Sequence, residues 1–142
     1  MSEIESIAWP ALRFGRPNCM VLRYEDSKFL ESAPLSSLKT IGSMEQYFLI
    51  DSNGHKYDMG TPVTCEPIKG LSVLFAQMTG KKLQITWPSI DKSEISLSHT
   101  KELIRADWSL YSETSQAYDL ETMSAQLDAA ETFSEVMKVF GH

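Results

Sequence analysis

Cysteine is scarce in this chain, and signals of secretion or membrane insertion are missing. Cys19 and Cys65 are the only two cysteines, and we interpret both as reduced, small hydrophobic residues rather than as a disulfide framework. The first fifteen residues contain two acids and no apolar run, unlike a signal peptide. No stretch of the chain approaches the roughly 18 apolar residues that a membrane span requires. The sequence therefore predicts a cytoplasmic protein that does not act at a membrane.

Positive charge is sparse as well. The chain has 13 lysines and arginines against 19 acids, a formal net charge of −6, and Lys81 and Lys82 are its only adjacent cations. Proteins bind nucleic acids through clustered lysines and arginines that displace counterions from the phosphates. The composition therefore predicts that nucleic acid is not the partner.

Motifs for metal binding, nucleotide binding and covalent catalysis do not occur in the sequence. Its histidines and cysteines show no short metal-ligand spacing, and neither a Gly-x-Ser-x-Gly elbow nor a Gly-rich phosphate loop is present. The segment 51–54 (DSNG) has the start of a calcium loop, but its glycine is the fourth residue instead of the sixth. We interpret this segment as a turn, and we expect no metal, no cofactor and no enzymatic activity.

The chain is long enough for one folded domain. It has 142 residues, of which 42% are hydrophobic and 23% are charged, and no repeat or flexible linker divides it. We expect a single α+β domain over residues 1–142.

Strands are predicted mainly in the first two thirds of the chain. The segment 46–59 has a β-prone run, an Asn53-Gly54 turn and renewed polar/apolar alternation, which together predict a β-hairpin. Residues 19–24 and 82–87 predict two further strands. Residues 70–79 have helical spacing of apolar residues, although a strand is the alternative there.

Helices are predicted in the last third. Apolar residues at helical spacing indicate one helix over 100–111, with Ser98 or Thr100 as its N-cap, and another helical stretch over 119–140. Thr132 and Glu135 have the spacing of a capping box, so the second stretch is either one helix or a pair with a joint near Glu131. The expected fold is a mostly antiparallel sheet with helices packed on one face and an amphipathic helix or helix pair at the C-terminus.

Negative charge is concentrated at the carboxyl end. Residues 111–142 contain six acids and one base, whereas residues 1–110 contain thirteen acids and twelve bases. Helical projection places Glu121, Asp128, Glu131 and Glu135 on one side, opposite a broad apolar arc. Like charges three or four residues apart cost a helix about 0.2–0.5 kcal/mol per pair. This crowding is either an ordinary solvated surface or a site for a cationic partner.

A resemblance to a known class favours the second interpretation. The hairpin over 47–54, the segment 95–104 with Trp108 after it, and the segment 130–140 resemble the small bacterial immunity proteins of polymorphic and contact-dependent toxin systems. That resemblance implies a non-enzymatic inhibitor that binds its cognate toxin domain. That class has no shared catalytic residues that could be assigned to positions in this sequence. The acidic helix side would complement a basic toxin domain, and Trp108 and Tyr111 are the candidate aromatic anchors.

Two other hypotheses remain open at this point. A homo-oligomeric structural or regulatory domain would have an apolar arc on its last helix broader than one core can cover. A small-ligand protein or enzyme would have a deep pocket in which polar groups converge around His55 or His99.

Overall fold

The structure is a computed structural model that describes residues 3–16, 19–34, 46–64, 82–111 and 120–140. It has the α+β architecture that the sequence predicts, with its main sheet antiparallel and its longest described helices near the C-terminus. The predicted helix at 70–79 lies outside the described residues.

The larger sheet is built around the predicted hairpin. Its five strands follow the spatial order β2-β1-β4-β5-β8, and every neighbouring pair is antiparallel. The strands are β1 (Ala11–Arg16), β2 (Cys19–Tyr24), β4 (Gln46–Asp51), β5 (His55–Asp58) and β8 (Asp91–Glu94). The hairpin turn uses the positive φ that glycine allows, since Gly54 has a φ of 81° and no non-glycine residue of the described chain has a positive φ.

A smaller sheet covers part of the opposite face. It has the order β3-β7-β6 and is antiparallel in both pairings. Its strands are β3 (Ser32–Pro34), β6 (Val63–Thr64) and β7 (Lys82–Thr86), and a single helical turn, α1 (Lys28–Glu31), precedes β3. A short 3-10 helix, Glu3–Ser6, comes first in the described chain.

Three helices pack on one face of the larger sheet: α2 (Leu97–Tyr111), α3 (Leu120–Ala129) and α4 (Phe133–Val139). The strand β4 shows how the sheet is buried on both sides, since alternate side chains of a strand point to opposite faces. Phe48 and Ile50 join the core beneath the helices. Tyr47 and Leu49 join a second core with Leu30 of α1. The predicted one-sided packing therefore holds for α2, α3 and α4, and the smaller sheet with α1 covers the other side.

The start of α2 corrects the predicted N-cap. Ser96 caps this helix, because its Oγ accepts the His99 N–H at 3.1 Å. Thr100 is buried one turn further on, and its hydroxyl donates to the Ser96 carbonyl at 2.9 Å. Ser98 and Thr100 lie inside the helix, which begins earlier because Ser96 already satisfies its first amides.

The carboxyl-terminal stretch is a pair of helices with a break at residues 130–132. Thr132 is the N-cap of α4, and its hydroxyl accepts the Glu135 N–H at 3.1 Å. The Glu135 carboxylate reaches back to the Glu131 N–H at 2.7 Å, one residue before the N–H used in an ordinary capping box. Of the two alternatives that the sequence left open, the structure has the helix pair, with its joint at Glu131.

We expect Thr132→Ala to lower the free energy of unfolding by about 1 kcal/mol, because the Glu135 amide then loses its side-chain acceptor. Urea unfolding followed by tryptophan fluorescence measures this change. Ser134→Ala is the matched control, since Ser134 is exposed on the same helix, and its effect should stay within about 0.5 kcal/mol. Equal effects of the two substitutions would contradict the assigned cap.

Candidate protein-interaction surface

The hairpin turn is held by a buried carboxylate. Asp51 is fully buried, and its Oδ1 accepts the N–H groups of Asn53 at 2.9 Å and His55 at 3.0 Å. Its Oδ2 accepts the Ala8 N–H at 3.0 Å and the Tyr57 hydroxyl at 3.3 Å. One side chain therefore joins the turn, β5 and the segment before β1.

The same turn positions α4. A Cβ atom built on Gly54 would lie 2.7 Å from the Cε2 atom of Phe133, the first residue of α4. The Gly54 carbonyl also accepts the Ile95 N–H at 3.0 Å, just before α2. The absence of a side chain at position 54 thus lets the start of α4 pack directly on the hairpin.

Polar contacts of Asp107 and Arg23 attach the helices to strand β2. The register of β1 and β2 shifts between Arg13 and Gly15, and near this irregularity the Val21 N–H donates to Oδ2 of Asp107 in α2 at 2.6 Å. The Nη1 group of Arg23 donates to the Met137 carbonyl at 2.9 Å. A cation at this position also favours the carboxyl end of α4 through the helix dipole.

The exposed side of α3, α4 and the break between them carries the four predicted acids, and we call it the acidic helix surface. Glu121, Asp128, Glu131 and Glu135 are all exposed. Glu121 and Asp128 are seven residues apart on α3, so they lie on one side of the helix about 10 Å apart along its axis. Neither Glu121 nor Glu131 forms a salt bridge with a cation of the described chain.

Asp128 has a cationic neighbour that the sequence reasoning missed. Arg105 of α2 forms a salt bridge with it, and both side chains are exposed. Lys101, one turn earlier on α2, donates to the Asp128 carbonyl at 3.4 Å. The i,i+4 spacing of Lys101 and Arg105 was visible as a basic edge on α2, but its position beside α3 depends on how the two helices pack.

Glu131 and Glu135 do not share a helix, which corrects the single-helix projection. Glu131 precedes the N-cap Thr132, and the Glu135 carboxylate accepts the Glu131 amide. An anion is favourable at this end of a helix. The expected repulsion between these two glutamates is therefore offset by a capping contact, and Glu135 has a structural role besides its charge.

Trp108 is part of the core, which corrects its predicted exposure as an anchor. It is 4% exposed and packs in the core beneath the helices. Its ring centroid lies 5.7 Å from that of Phe140. Tyr111 ends α2, and its side chain lies outside the described part of the chain.

The apolar side chains of α3 and α4 are packed in the core beneath the helices. Met123, Leu127, Val136 and Met137 are buried there, and Phe133 packs against them while partly buried. Among residues 121–129 and 133–139, no large hydrophobic side chain is exposed. The surplus apolar surface that the oligomer hypothesis requires is thus not found on this described part of the molecule.

A cleft of about 720 Å³ lies on the side of the larger sheet that faces away from α2, α3 and α4. Apolar side chains dominate its walls, including Ile4, Ile85 and Trp87, and the Trp87 indole N–H is already bonded to the Leu30 carbonyl at 2.9 Å. Neither His55 nor His99 lines it. This cleft therefore does not have the histidine-centred polar arrangement that the enzyme hypothesis predicts.

Comparison with protein-family models, with curated proteins and with solved structures finds no match to this chain. Within the five described ranges, no helix has the length and apolar content needed to cross a membrane. In the same ranges, no three His, Cys, Asp or Glu side chains are grouped so that they would hold a metal ion.

Proposed function

We propose that this protein is a non-enzymatic inhibitor that binds a basic toxin domain through the acidic helix surface, the role that the sequence resemblance to small bacterial immunity proteins implies. The observation that carries the proposal is the exposure of Glu121 and Glu131 without a cationic partner in the described chain. They lie in the segment that holds five of the six net negative charges. A one-signed patch of this kind accelerates encounter with an oppositely charged protein.

The shape of α3 supports a close approach by a partner. Ala125 and Ala129 are exposed on the same helix as Glu121 and Asp128. Small side chains beside carboxylates leave room for the long apolar stem of a lysine or arginine, whose charged end can then reach an acid. The surface therefore suits cationic side chains presented by another protein.

The four acids contribute unequally in this proposal. Asp128 is partly neutralised by Arg105, and the Glu135 carboxylate is engaged by the Glu131 amide. Glu121 and Glu131 are consequently the main attractive charges. The buried Trp108 supplies no contact area, so the surface acts through charge and through backbone and small side-chain contacts.

The double variant Glu121→Gln/Glu131→Gln tests this proposal. We expect its association rate constant with the purified product of the neighbouring gene, tested as the proposed basic toxin domain, to fall by about tenfold at low ionic strength, because electrostatic steering is lost. Stopped-flow fluorescence at several salt concentrations measures the rate, and its dependence on salt should become weaker in the variant.

Asp91→Asn/Glu94→Gln is the matched control, because both residues are exposed on β8 and the change in net charge is the same. Its association rate should stay within about twofold of the wild-type rate. If the two double variants slow association equally, net charge alone is responsible. If neither slows it, the acidic helix surface does not bind the partner.

A further inference from the structure

Arg13 is a buried cation without a counterion in the described part of the chain. It is 6% exposed in the middle of β1, on the face of the larger sheet opposite α2, α3 and α4. Its Nε is buried and lacks a hydrogen-bond partner. No carboxylate of the described chain forms a salt bridge with it. The contact that it does make is with the Tyr24 ring, whose centroid lies 5.6 Å from its Cζ.

This arrangement is unfavourable for folding by itself. Taking a guanidinium out of water costs more than one aromatic face returns, so buried arginines are normally paired with carboxylates or bonded to several acceptors. A methionine of similar volume would fill the same space without an unpaired charge. Buried charged residues that lack the usual partners are concentrated at binding sites.

The face of the sheet around Arg13 is more exposed on its β2 side than on its β4 side. Its partner across the strand pair on β2 is Leu22, which is 37% exposed, whereas its partner on β4 is the fully buried Leu49. Neighbouring strands are about 5 Å apart. The guanidinium is therefore one strand away from solvent on the β2 side.

Aromatic and apolar side chains form the border of the face on that more exposed side. Phe29 of α1 is 60% exposed and stacks on Tyr24 with ring centroids 4.8 Å apart. Together with Leu22 it makes two of the three large hydrophobic side chains that are exposed in the described chain. The Tyr24 hydroxyl lies 3.5 Å from that of Tyr47, which places a polar group beside the apolar border.

We propose that Arg13, with Tyr24, Leu22 and Phe29, forms a binding site for a small organic anion that has an oxyanion head and an aromatic or aliphatic body. The planar guanidinium donates two parallel hydrogen bonds to a carboxylate or a phosphate. The Tyr24 hydroxyl supplies a further donor to the same head, and the ligand body packs on Leu22 and Phe29. A few placed polar groups in apolar surroundings are typical of small-molecule sites.

Binding of benzoate, phenyl phosphate and inorganic phosphate to the whole protein tests the proposal, by calorimetry and by NMR. We expect saturable binding of benzoate or of phenyl phosphate, and the tighter of the two identifies the head group. Arg13→Met should weaken that binding by about tenfold or more, because charge-assisted hydrogen bonds are lost. Arg13→Lys keeps the positive charge but loses the paired N–H donors of the guanidinium, so it should weaken binding less than Arg13→Met does.

Arg105→Met is the matched control, since it removes an exposed guanidinium from the helical side. Its affinity for the probe should stay within about twofold of the wild-type affinity, because surface charges contribute little at moderate salt. The proposal is rejected if neither benzoate nor phenyl phosphate binds saturably, or if Arg13→Met and Arg105→Met weaken binding equally. It is also rejected if Arg13→Met melts well below the wild type in buffer without these anions, since Arg13 would then serve the fold.

Discussion

Gly54→Ala is expected to lower the free energy of unfolding by about 2–5 kcal/mol. Part of this loss, about 1–2 kcal/mol, comes from placing a Cβ atom on a residue with positive φ, and Gly54 has a φ of 81°. The rest comes from overpacking, about 1–3 kcal/mol, because the new Cβ would lie 2.7 Å from Cε2 and 3.0 Å from Cζ of Phe133. Urea unfolding monitored by tryptophan fluorescence measures the total.

Gly60→Ala separates the two contributions. Gly60 also has a positive φ, of 70°, but its Cβ would meet Ser89 atoms at 3.2 Å or more. It should therefore cost only about 1–2 kcal/mol. Introducing Phe133→Ala into the Gly54→Ala background should recover the overpacking part, which a double-mutant cycle reports directly. A Gly54→Ala cost no larger than that of Gly60→Ala would show that the turn and α4 are not in such close contact.

Asp51→Ala is expected to cost about 3–5 kcal/mol, among the largest effects of any single change in this protein. The substitution leaves the N–H groups of Ala8, Asn53 and His55 without the acceptor that they now share. The Tyr57 hydroxyl keeps a second acceptor, the Ser6 carbonyl at 3.1 Å. Each buried donor left unpaired costs about 1–3 kcal/mol, although solvent entering the turn recovers part of that. Chemical unfolding and amide hydrogen exchange at Ala8 and His55 measure the change.

Asp58→Ala is the control for this substitution. Asp58 is on the same hairpin but is exposed, and its carboxylate lies 3.7 Å from the Lys56 ammonium. Removing one partner of an exposed pair should change the stability by less than about 1 kcal/mol. Comparable losses for Asp51→Ala and Asp58→Ala would mean that the shared hydrogen bonds do not hold the turn.

The hairpin turn also helps to position the acidic helix surface. Gly54 contacts Phe133 at the start of α4, and Glu131 and Glu135 lie at that same end of the helix. A variant that displaces α4 from the hairpin should therefore change partner association even though no charge is altered. Comparing Gly54→Ala with Glu121→Gln/Glu131→Gln at one temperature, where both are folded, separates position from charge.

The candidate site was predictable in its composition but not in its arrangement. The four acids were identified from helical periodicity, and the structure exposes all of them. The periodicity did not indicate that Glu131 lies between two helices or that Arg105 meets Asp128, because both depend on how separate helices pack. Trp108 shows the same limit, since an aromatic residue on a helix face has the same spacing whether that face meets a core or a partner.

What the sequence determined by itself is local. The Asn53-Gly54 turn and the Thr132 cap follow from conformational preferences and hydrogen bonds within a few residues, which is why they were predictable. The contact of Asp107 with Val21 joins residues that are distant in the chain. The burial of Arg13 without a carboxylate partner among the described residues likewise depends on which segments surround it. Only the tertiary structure decides such features. The packing of strands and helices determines which charged groups surround a side chain and whether that side chain is buried.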